Sequence, residues 1–263
     1  MEIKKPEDIG DYKSWLKKEH NVEISAKAES YYDEVANKIK VQFENSLFWI
    51  NLSKKLREFD EEYLVNRQYL LLTSGDMPEL ELKSFNSFLL KTFRKNILEN
   101  KNWPKEPEGG WILPNDWFSK IDDIVRTLFV VKYLDGVEFF IDKIQSLCTA
   151  QDLKCNFHFE AKEEGYYAAH MYVGQEITIP SITLDPDKRI ICVELQITTQ
   201  LQDVIRKLLH LFYDKRRKAI KEENIKWQWD WQSDEFAVNY LGHILHYVEG
   251  MIMEIRAKQK EEI

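Results

Sequence analysis

The segment Ile124–Tyr133 reads IVRTLFVVKY, an apolar run long enough for a buried β-strand. Asp135-Gly136 predicts a turn directly after it, and residues 137–147 then predict a helix. Further strand-like segments follow at 153–160, 166–173 and 190–197. The middle of the chain therefore predicts a β-sheet with a helix inserted after its first strand.

Helical patterns surround this predicted sheet. Apolar and aromatic residues recur at helical spacing from Ser25 to Phe59, and residues 84–98 predict a short basic amphipathic helix. Prolines and glycines break residues 101–116 into a loop. Residues 200–219 and 233–258 return to a helical pattern. This order predicts an α+β fold in a single domain over residues 1–263, because no clear linker divides the chain.

Composition narrows the class of protein. The chain has 263 residues, 44% of them hydrophobic, and a net charge of −8. Such an acidic protein is not a general nucleic-acid binder, so a nucleic-acid partner needs a local basic patch, and no DNA partner is expected. The three cysteines form no CxxC pair and are expected to be free thiols. No apolar run approaches the ~20 residues of a membrane span, so we expect a soluble, cytoplasmic protein without a membrane partner.

Two acidic positions are candidates for metal binding or proton transfer. Glu194 and Gln196 lie two apart on a predicted strand and therefore share one face. Asp122-Asp123 directly precede the strand at 124–133. Carboxylates at such places can hold Mg²⁺ or act as a base, but they are also typical of a half-exposed strand and of an ordinary turn.

Two other patterns suit nucleotides. Lys83, Ser87 and Lys91 are spaced four apart, so on a helix they share one face that could bind a triphosphate or simply face solvent. The sequence Gly165-Tyr166-Tyr167-Ala168-Ala169-His170 begins a predicted strand, where a tyrosine could stack on a nucleobase or pack within a hairpin.

Taken in order, these four motifs resemble the synthetase domain of RelA/SpoT proteins. The resemblance covers roughly residues 80–215, which we expect to form a mixed-sheet nucleotidyltransferase-like core, with helical arms at 1–70 and 220–260. It implies a pyrophosphokinase that transfers the β,γ-pyrophosphate of ATP to a nucleotide hydroxyl, with Mg²⁺. Residues 1–70 contain no paired His-Asp motif, so a synthetase without a hydrolase module is expected.

Roles for individual residues follow from the same resemblance. Asp123 and Glu194 would be catalytic and would bind Mg²⁺, with Glu194 either a ligand or the base. The implied ATP-binding residues are Lys83, Ser87, Lys91, Arg94 and Arg126. The implied acceptor-binding residues are Tyr166, which would stack on the acceptor base, and His170, Gln196, His210 and Tyr213.

The chain departs from the family pattern at three positions. Glu81 and Thr198 stand where the family usually has arginine, and Leu128 replaces the arginine of an Asp-Ile-x-Gly-x-Arg motif. Arg126 is the nearest replacement for that arginine. These changes leave open which residues hold the adenine and which acceptor is used. They also leave open that the chain is a catalytically inactive nucleotide-binding scaffold.

Features around Arg126-Thr127, residues 132–139 and the tryptophan-rich stretch 227–236 resemble the toxic small alarmone synthetases. This branch implies a toxin that pyrophosphorylates the 3′ CCA end of tRNA and is paired with a protein antitoxin. Other members act on free nucleotides to make (p)ppGpp or (p)ppApp, and that alternative stays open. A basic cluster could bind tRNA, or could equally be a solvated helix end; it comprises Arg206, Lys207, Lys215, Arg216 and Arg217.

Overall fold

A computed structural model describes residues 4–180, 186–208 and 227–261 of the chain. The N-terminal helices are α1 (Ile9–His20), α2 (Ala26–Glu44) and α3 (Leu47–Arg67). Next come β1 (Glu81–Leu82), α4 (Phe85–Phe93), a π-helical segment (Arg94–Leu98) and the short α5 (Trp117–Lys120). The remaining elements are β2 (Val125–Val131), α6 (Leu134–Ala150), β3 (Cys155–Ala161), β4 (Tyr167–Pro180), β5 (Pro186–Thr199), a helix α7 over residues 200–208, a 3₁₀ turn (Trp227–Trp229) and α8 (Asp234–Glu261).

The five strands form one sheet in the order β1-β2-β5-β4-β3. β1 pairs antiparallel with β2, with Glu81 opposite Arg126 and Leu82 opposite Val125. β2 alternates between buried and half-buried residues, as expected of a strand with one face more deeply covered. A mixed sheet with flanking helices confirms the predicted α+β fold class.

The chain divides into two compact units. The first comprises Met1–Trp49, Leu80–Arg126 and Tyr172–Glu194. In it, the Tyr32 ring of α2 packs against Phe85 and Phe88 of α4, with ring centroids 5.4 and 4.6 Å away. A second apolar cluster joins α1 to α4 and the segment after it through Tyr12, Trp15, Leu16, Leu89, Phe93 and Ile97.

The second unit comprises Ile50–Glu79, Thr127–Met171 and Leu195–Ile263. Asp135 is central to it, because the Tyr63 hydroxyl donates to its Oδ1 at 2.6 Å and Arg256 of α8 donates to the same oxygen at 3.2 Å. The Arg256 guanidinium also lies 4.1 and 4.3 Å from the ring centroids of Tyr69 and Tyr133. The prediction of a single domain stays a prediction.

Several predicted boundaries differ from the structure. The turn predicted at Asp135-Gly136 is wrong, because α6 begins at Leu134 and both residues lie in its first helical turn. The helix predicted over residues 84–98 is α-helical only to Phe93 and continues as a π-helix. β4 and β5 both extend well beyond the predicted 166–173 and 190–197. Beyond residue 208, the helix predicted over 200–219 lies outside the described residues.

No helix in the described part of the chain is long and apolar enough to cross a membrane.

Candidate active site

Lys83 is positioned by the pairing of β1 with β2. Directly after β1, its backbone N–H donates to the carbonyl of Ile124 at 2.9 Å, which continues the antiparallel ladder. Its own carbonyl accepts a 2.8 Å hydrogen bond from the buried Tyr32 hydroxyl. With the backbone held from both sides, the Lys83 ammonium donates to Asp123 Oδ2 at 2.9 Å.

α4 brings a second ammonium to the same carboxylate. The helix begins after Ser84, whose hydroxyl oxygen accepts from the backbone N–H of Ser87 and contacts the Ser87 hydroxyl at 3.0 Å. Lys91 lies one helical turn beyond Ser87, and its Nζ is 2.8 Å from Asp123 Oδ2. Lys83 and Lys91 thus meet at one oxygen of one carboxylate.

Charge and burial act against each other in this group. Burial raises the pKa of Asp123, but the ammonium groups of Lys91 and Lys83 outweigh it and hold the value at about 2. Burial is also the largest influence on Lys83 and lowers its pKa, with further lowering by Lys91 and Arg126, against the raising effect of Asp123. The result is a partly buried site with two cations around one firmly ionised carboxylate.

Asp123 Oδ1 is buried and has no hydrogen-bond partner among the described residues. A buried carboxylate oxygen without a partner is costly unless something binds it.

Glu194 lies in the same compact unit, on β5, and is only 4% exposed. The hydroxyl of Tyr172, on the neighbouring β4, donates to Glu194 Oε1 at 3.3 Å. Burial raises the pKa of the Tyr172 phenol, as do the carboxylates of Glu194, Asp122 and Asp123 in that order. Tyr172 is therefore within electrostatic reach of both predicted catalytic carboxylates.

Sequence reasoning missed Tyr172, although a signal was present. Tyr172 follows His170 by two residues on the same strand, so the two side chains share a face of β4.

The other predicted ATP-binding residues have partners of their own. The Arg126 guanidinium lies 3.6 Å from the carboxylate of Glu81, its cross-strand neighbour. This pair gives Glu81 a partner of opposite charge across the β1–β2 ladder. Arg94 forms a 2.7 Å ion pair with Glu99, and both side chains are exposed.

The three predicted acceptor residues that the structure describes, Tyr166, His170 and Gln196, belong to the second compact unit. His170 Nε2 lies 2.9 Å from Glu160 Oε2 and 3.4 Å from the Tyr166 hydroxyl. The Lys162 ammonium lies 5.3 Å from the Tyr166 ring centroid. Gln196 is half-buried on β5. The Thr198 hydroxyl donates to the carbonyl of Tyr167 at 3.0 Å, a hydrogen bond between the neighbouring strands β5 and β4.

The predicted basic cluster is described only in part. Arg206 and Lys207 both bind Asp203, at 2.9 and 2.6 Å. His210, Tyr213, Lys215, Arg216 and Arg217 lie outside the described residues. Across residues 4–180, 186–208 and 227–261 there is no group of three or more His, Cys, Asp or Glu side chains placed to hold a metal ion.

Comparisons with known proteins show which solved structures have a similar fold. No family model matches the chain, and no curated protein matches it in sequence. Solved structures do match, with a TM-score of 0.52 for a GTP pyrophosphokinase family protein from Streptococcus pneumoniae, at 17% identity over 89% of this chain and 93% of that one. The small alarmone synthetase 1 from Bacillus subtilis also gives 0.52, at 16% identity over 88% of this chain and 95% of that one. Its structure with the product pppGpp bound gives 0.52 at 17% identity, over 87% and 94% of the two chains. The chain has the fold of these structures.

Proposed function

We propose that this chain is an ATP-dependent pyrophosphokinase. The observation that carries the proposal is the group formed by Lys83, Lys91 and Asp123, with two ammonium groups 2.9 and 2.8 Å from a single carboxylate oxygen. The same residues are those that the RelA/SpoT resemblance assigns to phosphate and metal binding. Each ammonium has three N–H donors, so both can bind phosphate oxygens beside the carboxylate.

The donor set fits Mg²⁺. Proteins commonly hold this ion through one or two carboxylates together with substrate phosphates, and Asp123 Oδ1 is a buried oxygen in need of a partner. Asp123 and Glu194 would hold the ion, which would supply charge neutralisation at the phosphates.

The protein's own groups then perform positioning and proton transfer. Lys83 and Lys91 bind oxygens of the β- and γ-phosphates, with Ser87, Arg94 and Arg126 as further ATP contacts. The acceptor hydroxyl oxygen attacks the β-phosphorus, the bond from that phosphorus to the α–β bridging oxygen breaks, and AMP leaves. The hydroxyl proton passes to the Glu194 carboxylate if Glu194 is the base and not only a metal ligand. Such transfer depends on orientation and charge more than on covalent catalysis.

For the acceptor, the sequence-based proposal is the 3′ CCA end of tRNA, which would make the chain a toxin that stops translation and is neutralised by a protein antitoxin. Its support is the resemblance to the toxic branch and the cluster of cations from Arg206 to Arg217 in an acidic chain. The two described cations of that cluster are both engaged by Asp203.

A free purine nucleotide is the second candidate acceptor, and a specific observation favours it. The fold matches a small alarmone synthetase whose structure holds its product pppGpp. Transfer to GDP, GTP or an adenine nucleotide would use the same phosphate site and would require no extended basic surface.

The test offers tRNA, GDP, GTP and AMP in parallel to the purified protein with γ-³²P-ATP and Mg²⁺. Label on tRNA alone supports the toxin, whereas label on a mononucleotide supports an alarmone synthetase. No label on any acceptor would overturn the pyrophosphokinase proposal and favour a nucleotide-binding scaffold.

A paired substitution separates the two acceptors further. Arg216→Glu with Arg217→Glu is expected to reduce labelling of tRNA and to leave labelling of a mononucleotide unchanged, because only a nucleic acid needs an extended phosphate contact. Unchanged labelling of tRNA would show that tRNA docks elsewhere.

A further inference from the structure

The turn that carries Tyr166 is short and tightly closed. It joins the neighbouring strands β3 and β4, with the backbone N–H of Lys162 donating to the carbonyl of Tyr166 at 3.0 Å and that of Gly165 donating to the carbonyl of Lys162 at 2.9 Å. Gly165 has a φ of 75°, in the left-handed region that glycine adopts without strain. Tyr166 follows it directly, so the position of the Tyr166 ring depends on how this turn is held.

The main chain of helix α8 lies directly against this turn, within the same compact unit. A Cβ atom added to Gly242 of α8 would lie 2.4 Å from the Gly165 carbonyl oxygen. One added to Gly165 would lie 2.4 Å from the Asn239 carbonyl oxygen and 3.0 Å from the backbone nitrogen of His243. Cβ atoms do not approach backbone atoms so closely, so the turn and the helix can touch here because both positions are glycine.

Two histidines of α8 hold the turn through their side chains. His243 Nε2 lies 2.8 Å from the carbonyl oxygen of Glu163, and His243 Nδ1 lies 2.8 Å from the Tyr167 hydroxyl. Because a carbonyl can only accept, Nε2 carries the proton, and Nδ1 then accepts from the hydroxyl. The His246 ring stacks on the Tyr167 ring, with the centroids 3.7 Å apart and the planes 10° from parallel. The residue after Tyr166 is therefore fixed at both its hydroxyl and its ring face.

His246 is itself tied to the end of strand β5. Its Nδ1 lies 3.3 Å from Oε2 of Glu249, a carboxylate residue of α8 that is only 5% exposed. The hydroxyl of Thr199, the last residue of β5, donates to the other oxygen of Glu249. The contacts thus run from β5, which carries the predicted acceptor residue Gln196, through α8 to the turn before β4.

We propose that Gly242, His243 and His246 form a clamp on α8 that positions Tyr166 for the acceptor base. The inference rests on the proposed function, because it takes Tyr166 as the residue that stacks on the acceptor. The two histidines are positioning residues, since they act on the turn and on Tyr167 and not on the reacting atoms. Stacking needs a fixed ring, and a displacement of about 1 Å can cost ~100-fold in rate. The clamp therefore controls the use of the acceptor and leaves the binding of ATP unchanged.

The first test is hydrogen exchange of the full chain, read by mass spectrometry on peptides that cover residues 160–168. Gly242→Ala is expected to speed exchange there by roughly 10-fold, because the added methyl group displaces the turn from α8. The matched control is Gly250→Ala on the same helix, where a Cβ atom meets nothing within 4 Å, and it should leave these rates unchanged. Exchange in α4 should be the same in all three proteins.

The second test is kinetic and uses the acceptor that the wild-type protein labels. His243→Ala is expected to raise the KM for that acceptor by roughly 10-fold and to leave the KM for ATP unchanged. Tyr167→Phe should raise it less, because the ring still stacks on His246. Adding Tyr167→Phe to His243→Ala should have no further effect, since both changes break one hydrogen bond. His20→Ala, which removes an imidazole from α1, is the control and should keep both KM values.

The outcomes separate this inference from the function on which it rests. Wild-type exchange rates at residues 160–168 in both Gly242→Ala and His243→Ala would overturn the clamp, as would equal rises in the KM for ATP and for the acceptor. A wild-type protein that labels no acceptor would instead contradict the proposed function, and the exchange rates would still decide whether α8 holds the turn.

Discussion

Asp123 combines two lysine contacts on one oxygen with an unsatisfied second oxygen, so its carboxylate should matter for both stability and activity. Its pKa is lowered from 3.8 to about 2 in the folded chain. Because the pKa is lower in the folded chain, ionised Asp123 stabilises the fold by about 2 kcal/mol at any pH well above its unfolded-state pKa of 3.8. This stabilisation is lost as the pH falls from 3.8 towards 2.

Asp123→Asn is therefore expected to lower the free energy of unfolding at pH 7 by about 2 kcal/mol. Urea unfolding from pH 7 to pH 3 should show this difference shrinking, because Asp123 of the unfolded wild-type chain takes up a proton near its pKa of 3.8 while the folded chain keeps the carboxylate ionised. Asp122→Asn changes the neighbouring half-buried carboxylate and should cost less than ~0.5 kcal/mol. A difference that stayed constant down to pH 3 would contradict the proposed ion pairs.

Tyr172 is expected to act as a positioning residue for Glu194. Tyr172→Phe removes the hydroxyl that donates to Glu194 Oε1, so kcat should fall by roughly 10-fold with little change in the KM for ATP. The acid side of the pH–rate profile should also move upward, because a donated hydrogen bond favours the ionised carboxylate. Tyr31→Phe, which removes a hydroxyl bound to the carbonyl of Pro180, is the control and should retain the wild-type profile. Wild-type kcat at every pH in Tyr172→Phe would contradict this role.

At the scale of elements, α4 fixes the site because its first turn sets the direction in which Lys91 points. Ser84→Ala removes the capping oxygen and should destabilise the chain by ~1 kcal/mol and raise the KM for ATP. Ser25, which precedes α2 but makes no side-chain capping bond, provides the matched control. Equal losses in Ser84→Ala and Ser25→Ala by urea unfolding would show that the cap of α4 has no special role.

The amino-acid sequence predicts structure best where the pattern of residues lies within a single helix or strand. The spacing of four predicts Lys83, Ser87 and Lys91 on one face of a helix. In the structure Lys83 and Lys91 meet at Asp123 Oδ2, but Lys83 precedes the N-cap Ser84 and is not part of α4, and the roles of all three in ATP binding stay predictions. The strand at 124–133 was equally clear, because a continuous apolar run permits few alternatives.

The sequence does not predict contacts that depend on how two strands pair. Nothing local predicts that Glu81 lies opposite Arg126, because that pair depends on the register between β1 and β2. The Tyr172–Glu194 contact depends in the same way on β4 lying beside β5. The turn predicted at Asp135-Gly136 is wrong because this residue pair, although typical of turns, also suits the first turn of a helix, where an acidic side chain is favourable. Here α6 begins at Leu134, directly after its N-cap position Tyr133.

At the scale of the whole molecule, the fold alone does not decide the reaction. The three solved structures compared above are only 16% to 17% identical to this chain, and one fold can carry several activities. The proposal therefore depends on Lys83, Lys91, Asp123 and Glu194 acting together on ATP.

The most direct test of the account is the nucleotide that the protein forms from α-³²P-ATP in the presence of Mg²⁺ and the mixed acceptors. Pyrophosphate transfer releases AMP, and the account predicts labelled AMP that is lost in Lys91→Met and kept in Lys38→Met, which removes a surface lysine of α2 paired with Glu34. Labelled ADP in place of AMP, or equal turnover by the two variants, would contradict the assignment of this site to pyrophosphate transfer.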